Sequence, residues 1–204
     1  MPDAGGLPLA EAKPLVVVIA GPNGAGKSTT AASVLQGALA VHEFVNADVI
    51  AQGLSAFQPE TVAVAAGRIM LERLRELARQ RASFAFETTL ASRSFAPWLR
   101  ELRADGYRVH LVFVSLPDPE MAISRVRDRV HRGGHHVPDE LVRRRYVGGL
   151  RNFYLLYLPI ADSWQMYDNG RKAGPRLVAE LRTGAASATI SNAELWSALL
   201  ERAQ

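Results

Sequence analysis

The stretch Leu15-Val16-Val17-Val18-Ile19-Ala20-Gly21-Pro22-Asn23-Gly24-Ala25-Gly26-Lys27-Ser28-Thr29 decides how this chain is read. Its first six residues are an unbroken apolar run rich in β-branched side chains, which suits a strand buried on both faces of a parallel sheet. The next eight fit the spacing G-x-x-x-x-G-K-[ST] without a mismatch. A helix pattern follows from Lys27 to Ala40. Strand, glycine-rich turn and helix are the context a phosphate cradle needs. Gly24 and Gly26 permit backbone angles at which successive N–H groups converge on one anion. The helix start adds unpaired N–H groups and a partial positive charge. The cradle Gly21 to Thr29 is therefore expected to hold ATP. Lys27 reaches the β- and γ-phosphates, Ser28 ligates Mg²⁺, and Thr29 contacts the α-phosphate.

Outward from that stretch, strand and helix patterns alternate. A short strand is expected at Glu43 to Asn46. An amphipathic helix opens at Pro59, with Val62, Ala66, Ile69, Leu74 and Leu77 on one stripe. Ser83 to Phe86 is a third strand, ending at Glu87. Helix Phe95 to Ala104 and strand Tyr107 to Ser115 follow. Asp118-Pro119 carries the chemistry of a helix start, and Pro138-Asp139-Glu140 opens another helix. Trp164 to Asp168 and Arg176 to Leu181 read as strands, and Asn192 to Arg202 as a closing helix. This alternation predicts an α/β fold around a parallel sheet covered on both sides, with its ligand at the carboxyl ends of the strands. Residues 1–14 read as a flexible lead, and 15–204 as a single domain.

The sequence around the cradle gives it a direction. Asp48, in Asn46-Ala47-Asp48, follows the second strand and falls near the γ-phosphate, where a carboxylate can accept a proton from an attacking hydroxyl. Its other use is to cap a helix starting at Val49. Glu87, Thr88 and Thr89 close the third strand beside the cradle. Glu87 suits a substrate hydroxyl or Mg²⁺ through water, and the threonines supply hydroxyls. Arg125, Arg129 and Arg132 share a helix face and suit a clamp on phosphates. Gly133-Gly134 beyond them reads as the hinge of a lid over about 125–138, whose closure would exclude water. His131, His135 and His136 are read as phosphate or lid contacts rather than a metal site. Arg143, Arg144 and Arg145 cannot all share one face, so one is assigned to the lid and the others to solvent. Tyr167-Asp168-Asn169-Gly170 reads as either an adenine-holding loop or a plain turn.

Composition narrows the function further. The chain has 48% apolar and 22% charged residues, an ordinary globular balance, and no cysteine, which excludes disulfides and thiolate zinc sites. The early apolar run is too short to span a bilayer, and the start lacks signal-peptide character, so a soluble cytoplasmic protein with no membrane partner is expected. Net charge is only +4, and aromatics do not interleave with the arginines, which argues against nucleic acid as the partner. Neither a transporter-ATPase signature nor a GTPase base-reading motif is present. Phosphoryl transfer to a small acceptor leads, and a nucleotide-gated regulatory ATPase is the alternative.

Three segments together, Gly21 to Thr29, Asn46 to Asp48 and Phe86 to Leu90, resemble the zeta toxin family of P-loop kinases. The arginine-rich stretch from Arg125 to His135 extends the likeness, which runs from the first strand through Tyr167-Asp168-Asn169. The resemblance implies a three-layer fold of the nucleoside-monophosphate-kinase type with a central parallel sheet and an Arg-rich lid. It implies an ATP- and Mg²⁺-dependent kinase acting on the 3′-hydroxyl of UDP-N-acetylglucosamine or a related UDP-sugar. It implies Asp48 as general base, Glu87 and Thr88 facing the substrate and the transferred phosphate, and Lys27 and Ser28 in their P-loop roles. It also implies a small helical antitoxin as protein partner. A kinase for another metabolite or an antibiotic is the neighbouring reading.

Overall fold

Strand β1 (Leu15–Ala20) lies at the centre of a seven-stranded sheet of order β2-β3-β1-β4-β5-β6-β7. Val16 to Ala20 are completely buried, as expected of an apolar run flanked by strands on both sides. The computed structural model describes residues 13–36, 39–134 and 136–204. The expected flexible lead falls almost wholly outside the described residues, and so does His135.

Strands β2 (Glu43–Val45), β3 (Phe84–Thr88), β4 (Arg108–Ser115) and β5 (Ser163–Asp168) run parallel to β1. Here the sheet departs from the all-parallel expectation. β6 (Arg176–Leu181) and the two-residue β7 (Thr189–Ile190) are antiparallel. The segment from Asp168 to Arg176 is too short for the crossover that a parallel neighbour requires, so the chain turns straight back.

The helices are α1 (Lys27–Gln36), α2 (Ala47–Leu54), α3 (Ala63–Arg79), α4 (Phe95–Ala104), α5 (Pro119–His131), α6 (Asp139–Asn152) and α7 (Ala193–Glu201). A short 3-10 turn over Pro59–Val62 precedes α3, so Pro59 starts a helical turn but not the long helix itself. A π-helical turn, Phe153–Tyr157, extends α6. Side-chain caps fix three starts: Asn46 accepts from the Asp48 N–H at 2.8 Å, Asp118 from Met121 at 2.8 Å and Asn192 from Leu195 at 2.9 Å. The cap of α2 is therefore Asn46, and Asp48 is left free of that duty.

Phe84 and Phe86 of β3 pack on Trp98 and Phe95 of α4, with Phe86 and Phe95 centroids 4.9 Å apart. That aromatic cluster fixes the carboxyl end of β3, where Glu87 emerges. After β1 the chain crosses to the β2–β3 side, and after β4 it crosses to β5. The crevice between β1 and β4 is thus the switch point at which α/β sheets bind ligands. Gly21 sits in it at φ 140°, and a Cβ there would lie 2.1 Å from the Val114 carbonyl oxygen. Only glycine fits that turn.

Candidate active site

The cradle closes around Lys27. Its ammonium donates to the Pro22 carbonyl at 3.0 Å and lies 3.5 Å from Glu87 Oε1. The side chain is buried, and burial pulls its pKa below the ordinary lysine value, opposed by the negative charges of Glu87 and Asp48. Glu87, at the end of β3, gathers two more partners. Its Oε2 accepts from the Ser28 hydroxyl at 2.6 Å and from the Asn46 amide at 2.9 Å. One carboxylate thus ties together the ends of β1, β2 and β3.

Asp48 stands in the first turn of α2 with its side chain exposed. Its charge acts on both Lys27 and Arg145. Arg145 comes from α6 and donates to Asn23 of the cradle at 3.3 Å. Burial lowers the Arg145 pKa, and Asp48 opposes that shift; a guanidinium stays charged regardless. Asn23, Lys27, Asp48, Glu87, Thr88 and Arg145 line one cleft of about 200 Å³, and Thr89 joins them. The Thr88 hydroxyl accepts from the Leu90 N–H at 3.1 Å, and the Thr89 hydroxyl from Ala91 at 3.4 Å. Both hydroxyls keep a proton to donate.

The three expected clamp arginines line a neighbouring cleft of about 600 Å³, facing Gln52 of α2. They are not equivalent. Arg125 donates to the Asn169 carbonyl at 2.7 Å and so braces the protein itself. Arg129 is half-buried, and its charge depresses the Lys27 pKa, which places it within electrostatic reach of the cradle. Arg132 is exposed and caps the end of α5. Gly133-Gly134, read as a hinge, terminates that helix. The Gly133 N–H bonds Val130 O at 2.9 Å and the Gly134 N–H bonds Arg129 O at 2.9 Å, with Gly133 at φ 87°.

Of the consecutive arginines in α6, Arg143 forms a two-pronged ion pair with Glu120 of α5, at 3.0 and 2.8 Å, and Arg144 is exposed. Arg145 is the one turned inward. Its position was legible: it lies three residues after Val142 and four before Gly149, both buried, and so shares their face. Asn46 carried the signal of a residue preferred at a helix start. Thr29 is exposed beside Ser28. Asn169 is turned onto the cradle, donating to the Ala25 carbonyl at 2.8 Å.

A larger groove of about 800 Å³ lies between α3 and α4, lined by Arg75, Arg79, Trp98 and Tyr107. Its arginines share it with Glu72, Glu101 and Asp105, and no cradle residue lines it. Convergence of polar groups, rather than size, marks the β1–β3 edge as the site. No described helix is long and apolar enough to cross a membrane.

Residues 7–173 match the family model described as Zeta toxin. An uncharacterized protein of Haemophilus influenzae is 29% identical over 126 residues, 62% of this chain and 88% of its own. Among solved structures, the complex AvrRxo1-ORF1:AvrRxo1-ORF2 with sulphate ions superposes with a TM-score of 0.73 at 18% identity, over 93% of this chain. This chain spans 64% of that neighbour's length. The PezAT chromosomal toxin-antitoxin system of Streptococcus pneumoniae superposes with a TM-score of 0.60 at 16% identity, over 98% of this chain and 89% of its own. At such identities these structures share the fold.

Proposed function

Because this chain belongs to the zeta toxin family, we propose that it is an ATP-dependent kinase that phosphorylates a hydroxyl of a small molecule, with a UDP-sugar such as UDP-N-acetylglucosamine as the favoured acceptor. The observation that carries this reading is the cleft in which Asp48 and Glu87 stand beside Lys27 and Arg145. A binding-only phosphate site has no use for an exposed carboxylate facing the lysine. A kinase does.

In this reading Asp48 takes the proton of the acceptor hydroxyl as its oxygen bonds to the γ-phosphorus. The bond from that phosphorus to the β–γ bridging oxygen breaks, and ADP leaves with the electron pair. Lys27 balances charge on the β- and γ-phosphates. Arg129 and Arg145 approach from two sides to stabilise the transferring group, while Arg125 holds α5 in place. Glu87, Thr88 and Thr89 orient the acceptor. Ser28 and Glu87 are hard oxygen donors and fit Mg²⁺ held jointly with phosphates. That ion would neutralise charge on the nucleotide. Residues 125–138 act as the lid, with Arg132 on its exposed edge. A small helical antitoxin and a cytoplasmic location complete the proposal.

The test incubates the protein with labelled ATP, Mg²⁺ and a panel of UDP-sugars and other metabolites. A labelled product is expected from wild type. Asp48→Asn should bind ATP normally and lose roughly 100-fold or more in product formation. No product across the panel, or full activity in Asp48→Asn, would overturn the kinase reading.

A further inference from the structure

The segment after β5 does more than turn the chain. Asp168 is 3% exposed, with Oδ2 3.4 Å from Arg176 Nε and Oδ1 accepting from the Gly170 N–H at 3.0 Å. That anchorage presents Asn169 to three elements at once. Its N–H donates to Ser115 O of β4 at 3.0 Å. Its side-chain amide donates to Ala25 O of the cradle at 2.8 Å, and its carbonyl accepts from Arg125 of α5 at 2.7 Å.

We infer that Asn169 is a positioning residue that holds the phosphate cradle and the arginine-bearing helix α5 in register, and not a contact to the nucleotide base. The peptide joining Ala25 to Gly26 is trans. In a trans peptide the C=O and N–H point opposite ways. Fixing the Ala25 oxygen on Asn169 therefore fixes the Gly26 N–H in the reverse direction, away from the β5 loop. The contact is tight. Gly26 has φ 84°, and a Cβ on it would lie 2.7 Å from Asn169 Nδ2. Because the same residue receives Arg125, a shift of α5 at that point is transmitted to the cradle. Its backbone N–H, its carbonyl and one hydrogen of its side-chain amide are thus committed to protein groups.

This role, which rests on the proposed nucleotide reading of Gly21–Ser28, is tested by titrating wild type, Asn169→Ala and Asn169→Asp with MgATP and, separately, with magnesium tripolyphosphate. Asn169→Asp sets a carboxylate against the Ala25 carbonyl, two acceptors face to face. Its dissociation constant should rise at least about tenfold, and that of Asn169→Ala about three- to fivefold. Both ligands should weaken by the same factor, since the strap acts on the cradle. Thermal unfolding of each variant is measured alongside, and Asn169→Ala keeps the test open if Asn169→Asp does not fold. Weakened ATP binding with unchanged tripolyphosphate binding would make Asn169 a base contact and overturn the inference. So would affinities within twofold of wild type in a variant with a lowered melting point, which would make the strap merely structural. A wild-type chain that binds neither ligand would sink the nucleotide reading, and the inference with it.

Discussion

The loops that leave β1 and β3 sit at the same edge of the sheet, on adjacent parallel strands, and both enter left-handed backbone. They are built differently. The cradle after β1 does so at Gly21, Gly24 and Gly26, with φ of 140°, 76° and 84°, where no side chain objects. The loop after β3 does so at Leu90, φ 56°, a fully buried residue for which that backbone costs about 1–2 kcal/mol. The cost is offset from α6 and its π-helical extension. Asn152 donates its amide to Leu90 O at 2.7 Å and Ala91 O at 3.3 Å, and the Tyr157 hydroxyl donates to Ser92 O at 3.0 Å. Gly149 lets the helix approach so closely that a Cβ there would meet Thr89 O at 2.3 Å. One loop is shaped by its own residues, the other by a helix far along the chain.

The comparison predicts that substitutions in the first loop cost function, and those behind the second cost stability. The largest effect is expected at Lys27→Met. Charge-assisted bonds to phosphate are lost, and MgATP affinity should fall at least about 100-fold. Burying an ammonium is itself expensive, and Glu87 keeps the Ser28 hydroxyl and Asn46 amide as donors, so the melting temperature should move by no more than about 3 °C. Calorimetric titration and thermal unfolding of one sample read both. A destabilised variant that still binds MgATP would reverse the assignment of the cradle.

Asn152→Ala is the counterpart. It leaves two carbonyls short of a donor and frees the strained Leu90, at a cost of about 2 kcal/mol, or roughly 4–8 °C in melting temperature. MgATP affinity should stay within twofold, because neither carbonyl belongs to the cradle. If the affinity instead fell as far as in Lys27→Met, the two loops would be one cooperative unit and the contrast between them would dissolve.

The same contrast explains what the sequence could disclose. The burial of β1 on both faces, the cradle and the starts of α5 and α6 follow from local signals: an apolar run, a glycine spacing, Asp118-Pro119 and Pro138-Asp139. Glu87 and Asp48 were legible as acids at strand ends, each with more than one use open to it. That Asn46 caps α2, leaving Asp48 exposed, depends on which of two capping residues, with Ala47 between them, wins. The left-handed Leu90, the contact of Arg145 with Asn23 and the hold of Asn169 on Ala25 are set by partners more than 60 residues away in the chain. The antiparallel β6 and β7 needed only the short span after Asp168, a length signal outweighed by the alternating pattern. No local propensity encodes a contact of that range.

The last expected effect, no larger than that of Asn152→Ala, lies at the opposite edge of the sheet, where neither loop reaches. His110 of β4 is 8% exposed, its Nδ1 2.8 Å from the Ser163 hydroxyl, its Nε2 buried without a hydrogen-bond partner. Burial, with the nearby Arg108 charge, pulls its pKa down to about 4. In the unfolded chain the imidazole titrates near 6.5, so between the two values the unfolded state binds the extra proton. Stability from this group is whole above pH 6.5 and is lost as pH falls towards 4, about 2 kcal/mol of it by pH 5. Melting curves at pH 7 and pH 5 should therefore differ by about 4–8 °C more in wild type than in His110→Gln, while MgATP affinity in the variant stays at its wild-type value. Parallel pH dependence in the two proteins would mean that the ring is solvated, and that the amino edge of the sheet is not closed as the edge bearing the two loops is.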